Sequence, residues 1–260
     1  KKFDFVVSNG VAHHTHDIKE NIKIAINFLK PGGMLILGIG ETNGFFQRHF
    51  QRYILNNLSS DEEDIIKLSK YLFKENLQRG KKFGGRSEKA IIYDTYLNPK
   101  IETLSFDEVK KLFTKKKLYL YSLDEDCLDL ETFYDTSNKQ FSLLSKNKGY
   151  FPKTNFLFNS INNFSLTKEK SLNFKKNLNK INKIQNKLTN SFNNQSFNNI
   201  KKTNFYRLIK EYLRKIKDYK NIDLIDKKNL IQFINEINST LKILKIKNKK
   251  NKIKKLKNIL

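Results

Sequence analysis

Three of the chain's four histidines fall within the run Ser8-Asn9-Gly10-Val11-Ala12-His13-His14-Thr15-His16. An imidazole titrates near neutrality, so His13 or His14 could exchange a proton with a bound group or orient it. The other reading of the pair is a turn leading into a helix, with one ring packed and the other solvated. A metal site from His13, His14 and His16 is disfavoured: ligands so close along a turn seldom converge tetrahedrally, and no cysteine lies nearby. The single cysteine, Cys127, reads as a passive thiol. Ahead of the histidines, Ser8 and Asn9 form a small polar pair, and Gly10 permits close approach of a ligand to the backbone. A plain strand-end turn is the alternative for Asn9 and Gly10.

The flanking residues must position that loop. Phe3 to Ser8 is a short apolar, β-branched run suited to a strand buried on both faces. Asp17 can cap a helix whose apolar positions Ile18, Ile22, Ala25, Ile26 and Leu29 keep the helical period. Pro31-Gly32-Gly33 is expected to stop that helix, and Met34 to Ile39 to form a second buried strand. This is one β-α-β crossover, which predicts a parallel α/β sheet. Ligands of such sheets sit beyond the carboxyl ends of the strands, where Ser8 to His16 falls.

Downstream, residues 41–122 read as mostly helical. Phe46, Phe50, Tyr53, Ile54 and Leu58 form one stripe. Ile65, Ile66, Leu68, Ser69 and Leu72 form another behind the capping run Ser59-Ser60-Asp61-Glu62. Gly80 to Gly85 predicts a loop, Ser105-x-x-Glu108 a capping box opening a helix with Val109, Leu112 and Phe113, and Leu118 to Ser122 a strand. Gln140 to Ser145 is a further candidate strand, and an Asn/Ser-rich linker covers 151–202. Phe205, Leu208, Ile209, Tyr212, Leu213 and Ile216 predict an amphipathic helix. Leu230, Ile234, Ile237, Leu241 and Leu244 follow a short coiled-coil spacing, as in a helical hairpin or a dimer seam.

The formal charge of +25 is uneven along the 260 residues. Residues 1–150 hold 24 Lys and Arg against 20 Asp and Glu, whereas residues 151–260 hold 27 against 6. The second part also carries 22 Asn, and no glycine follows Gly149. Lys, Asn, Ile and Phe rising together fit an A/T-rich coding sequence. Charge selected for a polyanion would enrich Arg as readily, yet Arg207 and Arg214 are the only arginines after position 150. One cysteine excludes a disulfide scaffold, and no apolar run reaches the ~18 residues of a membrane span. The first residues lack the pattern of a signal peptide, so a cytoplasmic location is expected.

Phe3-Asp4-Phe5-Val6-Val7-Ser8-Asn9-Gly10-Val11-x-His13-His14, followed by Leu29-Lys30-Pro31-Gly32-Gly33 and an apolar strand, resembles the class I S-adenosylmethionine-dependent methyltransferases. The resemblance implies that these are the fourth strand, its helix and the fifth strand of a Rossmann-like sheet. It further implies S-adenosylmethionine as cofactor, with Ser8, Asn9, Gly10 and Val11 at its methionine end and His13 and His14 as catalytic candidates. Asp94-Thr95-Tyr96-Leu97-Asn98-Pro99-x-x-Glu102-Thr103 is similar to a lid-like substrate region of one bacterial branch. That implies contacts from Asp94, Tyr96 and Glu102 to an unidentified methyl acceptor, with a structural lid as the alternative.

The resemblance covers roughly residues 3–122. The family's glycine-rich loop and the acidic residue that holds the ribose are not among these residues. The expectation is therefore the C-terminal half of a catalytic sheet whose cofactor-binding half is missing, with a bare central strand and weak cofactor binding alone. The expected division is a partial catalytic domain over 1–150, the linker over 151–202, and a basic amphipathic helical extension, rich in Lys and Asn, over 203–260. A competing reading makes 203–260 a non-catalytic module for RNA or an anionic membrane surface, with Phe205, Tyr206 and Tyr212 as apolar contacts. A third has these helices self-associate or cover the α/β domain.

Overall fold

The computed structural model describes residues 1–40, 42, 45–119, 183–184, 186–190, 202–217 and 224–260. The candidate strand at 140–145, Cys127 and most of the 151–202 linker lie outside these residues. The chain divides into two units, Lys1–Gly44 with Glu102–Lys176, and Phe45–Ile101 with Asn177–Leu260.

In the first unit, strand β1 (Phe3–Asn9) pairs in parallel with β2 (Leu29–Gly38) through helix α1 (Ile18–Asn27), as the crossover pattern predicts. The fold class is α/β. Asp17 caps α1 by accepting from the backbone N–H groups of Lys19 and Glu20 at 2.8 and 2.9 Å. Ile18, Ile22, Ala25 and Ile26 are the buried face of the helix.

The helix stops earlier than expected. It ends before Pro31-Gly32-Gly33, and β2 begins at Leu29 rather than Met34. Phe28 closes the last turn through its N–H to Ala25, and its carbonyl accepts from Phe3 at 2.8 Å, which starts the strand pairing at once. Between the pairs Phe3–Leu29 and Phe5–Met34 the register slips, and the extra residues of β2 are absorbed around Gly32, at φ +78°. Gly33 lies so close to Asp4 that a Cβ there would stand 2.9 Å from the Asp4 carbonyl oxygen.

Burial on both faces is also corrected. Leu35, Leu37 and Ile39 pack on the core of Ala12, Ile18, Ile22, Ile26 and Leu104. Their opposite face is bare: Phe5, Val7 and Ile36 are 62%, 64% and 50% exposed. Among the described residues, one layer of helices covers one side of a two-stranded sheet, so the alternation of the strands sends every second apolar residue outward. Helix α2 of the chain order (Phe46–Leu58) belongs to the second unit; in the first, the capping box of Ser105 and Glu108 opens a later helix, Phe106–Lys115, as expected. Leu118 packs on the core without joining a strand, and residues 120–122 lie outside the description.

The second unit is helical. After α2 come α3 (Glu62–Leu72), α4 (Lys74–Gly84), α5 (Glu88–Ile92) and a π-turn over Tyr93–Leu97. Counting Phe106–Lys115 as α6, there follow α7 (Lys202–Lys217), α8 (Leu224–Ile243) and α9 (Lys249–Lys257). The stripe of α2 is buried as its period predicts, and Asp61 caps α3. The expected Gly80–Gly85 loop is instead the last turns of α4, which end on Gly85 in the left-handed conformation. Gly80 is a packing residue: a Cβ there would sit 3.1 Å from the Ile91 side chain of α5.

Helix α7 seats its apolar face on α2. The Tyr212 ring stacks on Phe46 at 4.1 Å and Phe205 on Tyr53 at 4.7 Å. This corrects the assignment of Phe205 and Tyr212 as contacts for RNA or a membrane, since both rings are consumed in the unit's interior. Ile237, Leu241 and Leu244 of the coiled-coil spacing are likewise buried. Helix α9 is held by an Asn248 cap, by buried Leu256 and by a 3.0 Å pair between Lys249 and Asp64 of α3. Among the described residues no helix is long and apolar enough to cross a membrane.

Candidate functional site

Parallel strands joined by a crossover bring their carboxyl ends to one side, and here those ends are Asn9 and Gly38. The Asn9 side chain lies directly over Gly38, in space that a Cβ at position 38 would occupy. Gly10 follows at φ +70°, donating its N–H to the Gly38 carbonyl at 2.9 Å, with open space where a Cβ would project. Val11 is exposed and Ser8 half-buried at the same end. The strand ends thus offer a side-chain amide, a glycine ledge and room above it.

Residues Ala12–His14 form one 3-10 turn, tied by His14 N–H to the Val11 carbonyl at 3.0 Å and by the Thr15 hydroxyl to the Ala12 carbonyl at 2.7 Å. His13 is buried, His14 half-buried and His16 exposed. The His13 and His14 ring centroids stand 4.1 Å apart. Glu102 reaches this turn from 88 positions along the chain from His14: its N–H donates to the His13 carbonyl and its carboxylate accepts from Ile18 N–H, both at 2.8 Å. The turn is thereby pinned to the start of α1. The described residues contain no group of three or more His, Cys, Asp or Glu side chains able to hold a metal ion.

Ser8, Asn9, Gly10, Val11, His13, His14 and Glu102 therefore share the first unit, whereas Asp94 and Tyr96 belong to the second. Asp94 pairs with Arg86 at 2.8 Å. Tyr96 is buried, its hydroxyl donating to Gln51 at 3.3 Å and its ring 5.5 Å from that of Phe73.

The second unit also holds a charged group that periodicity overlooks. Arg48, His49 and Arg52 lie between the apolar positions of α2, and His49 and Arg52 are buried. Burial, reinforced by the neighbouring Arg48, lowers the Arg52 guanidinium to about 10. Burial first, then Arg52 and Arg48, hold the His49 imidazole well below 6.5, so it is neutral at physiological pH, with its Nε2 2.9 Å from the Thr189 hydroxyl. The signal in the sequence was the interruption itself: three basic residues within an otherwise apolar stripe.

A pH dependence follows from His49. Its native pKa lies below that of the unfolded chain, so below about pH 6.5 the unfolded state takes the proton more readily. The stability attached to neutral His49 is whole above that value and declines as pH falls. Denaturant titrations at a series of pH values should show this decline, and His49→Gln should remove that part of it.

A parallel crossover with an open glycine at its carboxyl ends is an α/β arrangement. The first part of the chain can be named more closely: residues 1–37 match the family model of a methyltransferase domain. The matched residues span β1, the histidine turn, α1 and most of β2. The match covers 37 of the 260 residues. No curated protein and no solved structure matches the chain.

Proposed function

We propose that this chain contributes the carboxyl-end half of a catalytic sheet that transfers the methyl group of S-adenosylmethionine to an acceptor. What carries the reading is the Asn9–Gly10 step over bare Gly38, at the carboxyl ends of a parallel pair within the matched segment. Ser8, Asn9, Gly10 and Val11 would hold the methionine end of the cofactor, the open face of Gly10 leaving space for it. S-adenosylmethionine supplies, when bound, a methyl group already activated by its sulfonium. The protein's part is then alignment and, where the acceptor requires it, removal of a proton. Half-buried His14 is the residue for that proton, and buried His13 holds the turn. Glu102 orients the turn through His13 and Ile18. In this reading residues 1–150 are catalytic, 151–202 a linker, and 203–260 an extension.

Among the described residues, the two-strand extent of the sheet and its exposed outer face support the second element of the proposal, that further strands and a covering layer complete it. A two-stranded parallel sheet with Phe5, Val7 and Ile36 in water is marginal as it stands. Calorimetric titration with S-adenosylmethionine tests both elements, applied to this chain and to the product of its complete reading frame. The expected result is micromolar binding by the complete product and weak or no binding by the 260-residue chain. Equal micromolar binding by both would overturn the incomplete sheet, and no binding by either would overturn methyl transfer.

A further inference from the structure

Helices α3 and α9 leave an open groove between them, about 370 Å³ in volume, lined by Asp64, Lys67, Leu68 and Tyr71 of α3 and by Lys249 and Ile253 of α9. The α3 residues stand at i, i+3, i+4 and i+7 and so share one face of that helix; Lys249, Ile253 and Lys257 share one face of α9 in the same way. The 3.0 Å pair of Lys249 with Asp64 closes one end of the groove. At the other end the Lys257 Nζ stands 5.5 Å from the centre of the Tyr71 ring. Tyr71 is 51% exposed, so its ring keeps free surface beside that cation.

The groove runs along the most one-sidedly charged part of the chain. After Glu236 there are nine lysines and no aspartate or glutamate. Lys250, Lys254 and Lys257 fall at i, i+4 and i+7 of α9, a row about 10 Å long at the helical rise. All three are exposed, and among the described residues none of them pairs with a carboxylate. Whatever coding bias supplied these lysines, their field attracts a polyanion. A row of cations beside an exposed ring suits a single nucleic-acid strand: the lysines neutralise phosphates and release counterions, and the ring takes the face of an unstacked base. A duplex keeps its base faces stacked inside and offers Tyr71 no such face. Binding of this kind needs point charges rather than the arginine fork. An anionic bilayer fits less well, because insertion requires apolar residues among the lysines. Every exposed position of α9 is lysine or asparagine, while Leu256 is buried and Ile253 lines the groove.

We propose that the groove between α3 and α9 binds a single nucleic-acid strand, with Tyr71 stacking on a base and Lys250, Lys254 and Lys257 holding its phosphates. The groove lies within the second unit, and its test needs neither cofactor nor turnover, so its failure would be distinct from a failure of methyl transfer.

Fluorescence anisotropy of a labelled oligouridylate of about twelve nucleotides, titrated with the full chain, tests this. Saturable binding is expected, weakening about twentyfold between about 50 and about 200 mM sodium chloride, as three phosphate contacts on a single strand require. Tyr71→Ala should weaken binding about tenfold and Tyr71→Phe should retain it, a difference that charge alone does not produce. Lys250→Gln combined with Lys254→Gln should flatten the slope of log affinity against log salt by about 1.4. Lys111→Gln combined with Lys115→Gln, an exposed pair at the same spacing on α6, should leave that slope unchanged. Absence of saturable binding, equal effects of the two lysine pairs, or an affinity untouched by Tyr71→Ala overturns the groove. Equal affinity for the duplex of the same oligouridylate with oligoadenylate overturns the single strand. Cosedimentation with phosphatidylglycerol vesicles in place of oligonucleotide binding overturns nucleic acid as the partner.

Discussion

Tyr212→Ala is expected to lower the free energy of unfolding by about 3–5 kcal/mol, the cost of deleting a large buried aromatic ring. Tyr212 is fully buried, and its ring lies nearly parallel to that of Phe46, which is itself 1% exposed. The substitution leaves a cavity against α2 and removes the stacking between the two rings. Tyr212→Phe separates the ring from its hydroxyl and should retain most of the stability. Tyr206→Ala, at a half-exposed position of the same helix, should cost no more than about 1 kcal/mol. Urea denaturation of the three variants checks this. If α7 were a free module for an external partner, Tyr212→Ala would leave stability unchanged and weaken only partner binding. That pattern would contradict the seating of α7 on α2.

The second large effect concerns His14. On the proposed methyl transfer, His14→Ala should reduce kcat by about 10²–10⁴-fold, the usual contribution of a positioned acid or base, with little change in cofactor affinity. The reasoning is positional. His14 is half-buried at the end of the 3-10 turn, near enough to solvent to release a proton, whereas His13 is buried and fixed through its carbonyl by Glu102. His13→Ala should accordingly reduce stability and activity together. Steady-state turnover measured beside calorimetric cofactor binding separates the two outcomes. Equal losses of turnover and cofactor affinity in His14→Ala would make His14 part of the scaffold.

Much of this architecture is local and was readable without coordinates. The Asp17 cap, the Ser105–Glu108 box, the Asp61 cap and the stripes of α1, α2 and α7 each depend on residues within about four positions of one another. The crossover and the loop at its carboxyl ends follow from the same short-range patterns, which is why Ser8 to His14 could be singled out. Breaker residues were less dependable. Gly80 reads as a loop because a glycine in a helix is normally a cost, yet α4 keeps it so that Ile91 can approach. Pro31-Gly32-Gly33 reads as a helix stop, yet it is a slip in strand register after Phe28 has already closed the helix.

What covers each face depended on partners distant in the chain, and no local pattern encodes these. The apolar residues of β1 look fully buried in sequence, but among the described residues Phe5 and Val7 remain in water. Phe205 and Tyr212 look available among lysines until α7 lies against α2. Helix α9 reads as a run of charge until Asp64 meets Lys249. The same holds for function: Glu102 acquires its role at the histidine turn by reaching Ile18, 84 positions away. Arg52 finds its partner in the Asn98 carbonyl, 46 positions away. Hydrogen-bonded caps and periodic stripes act over one or two turns. Burial and electrostatic company are set by the whole chain's packing, and those are what made Glu102 and Arg52 intelligible.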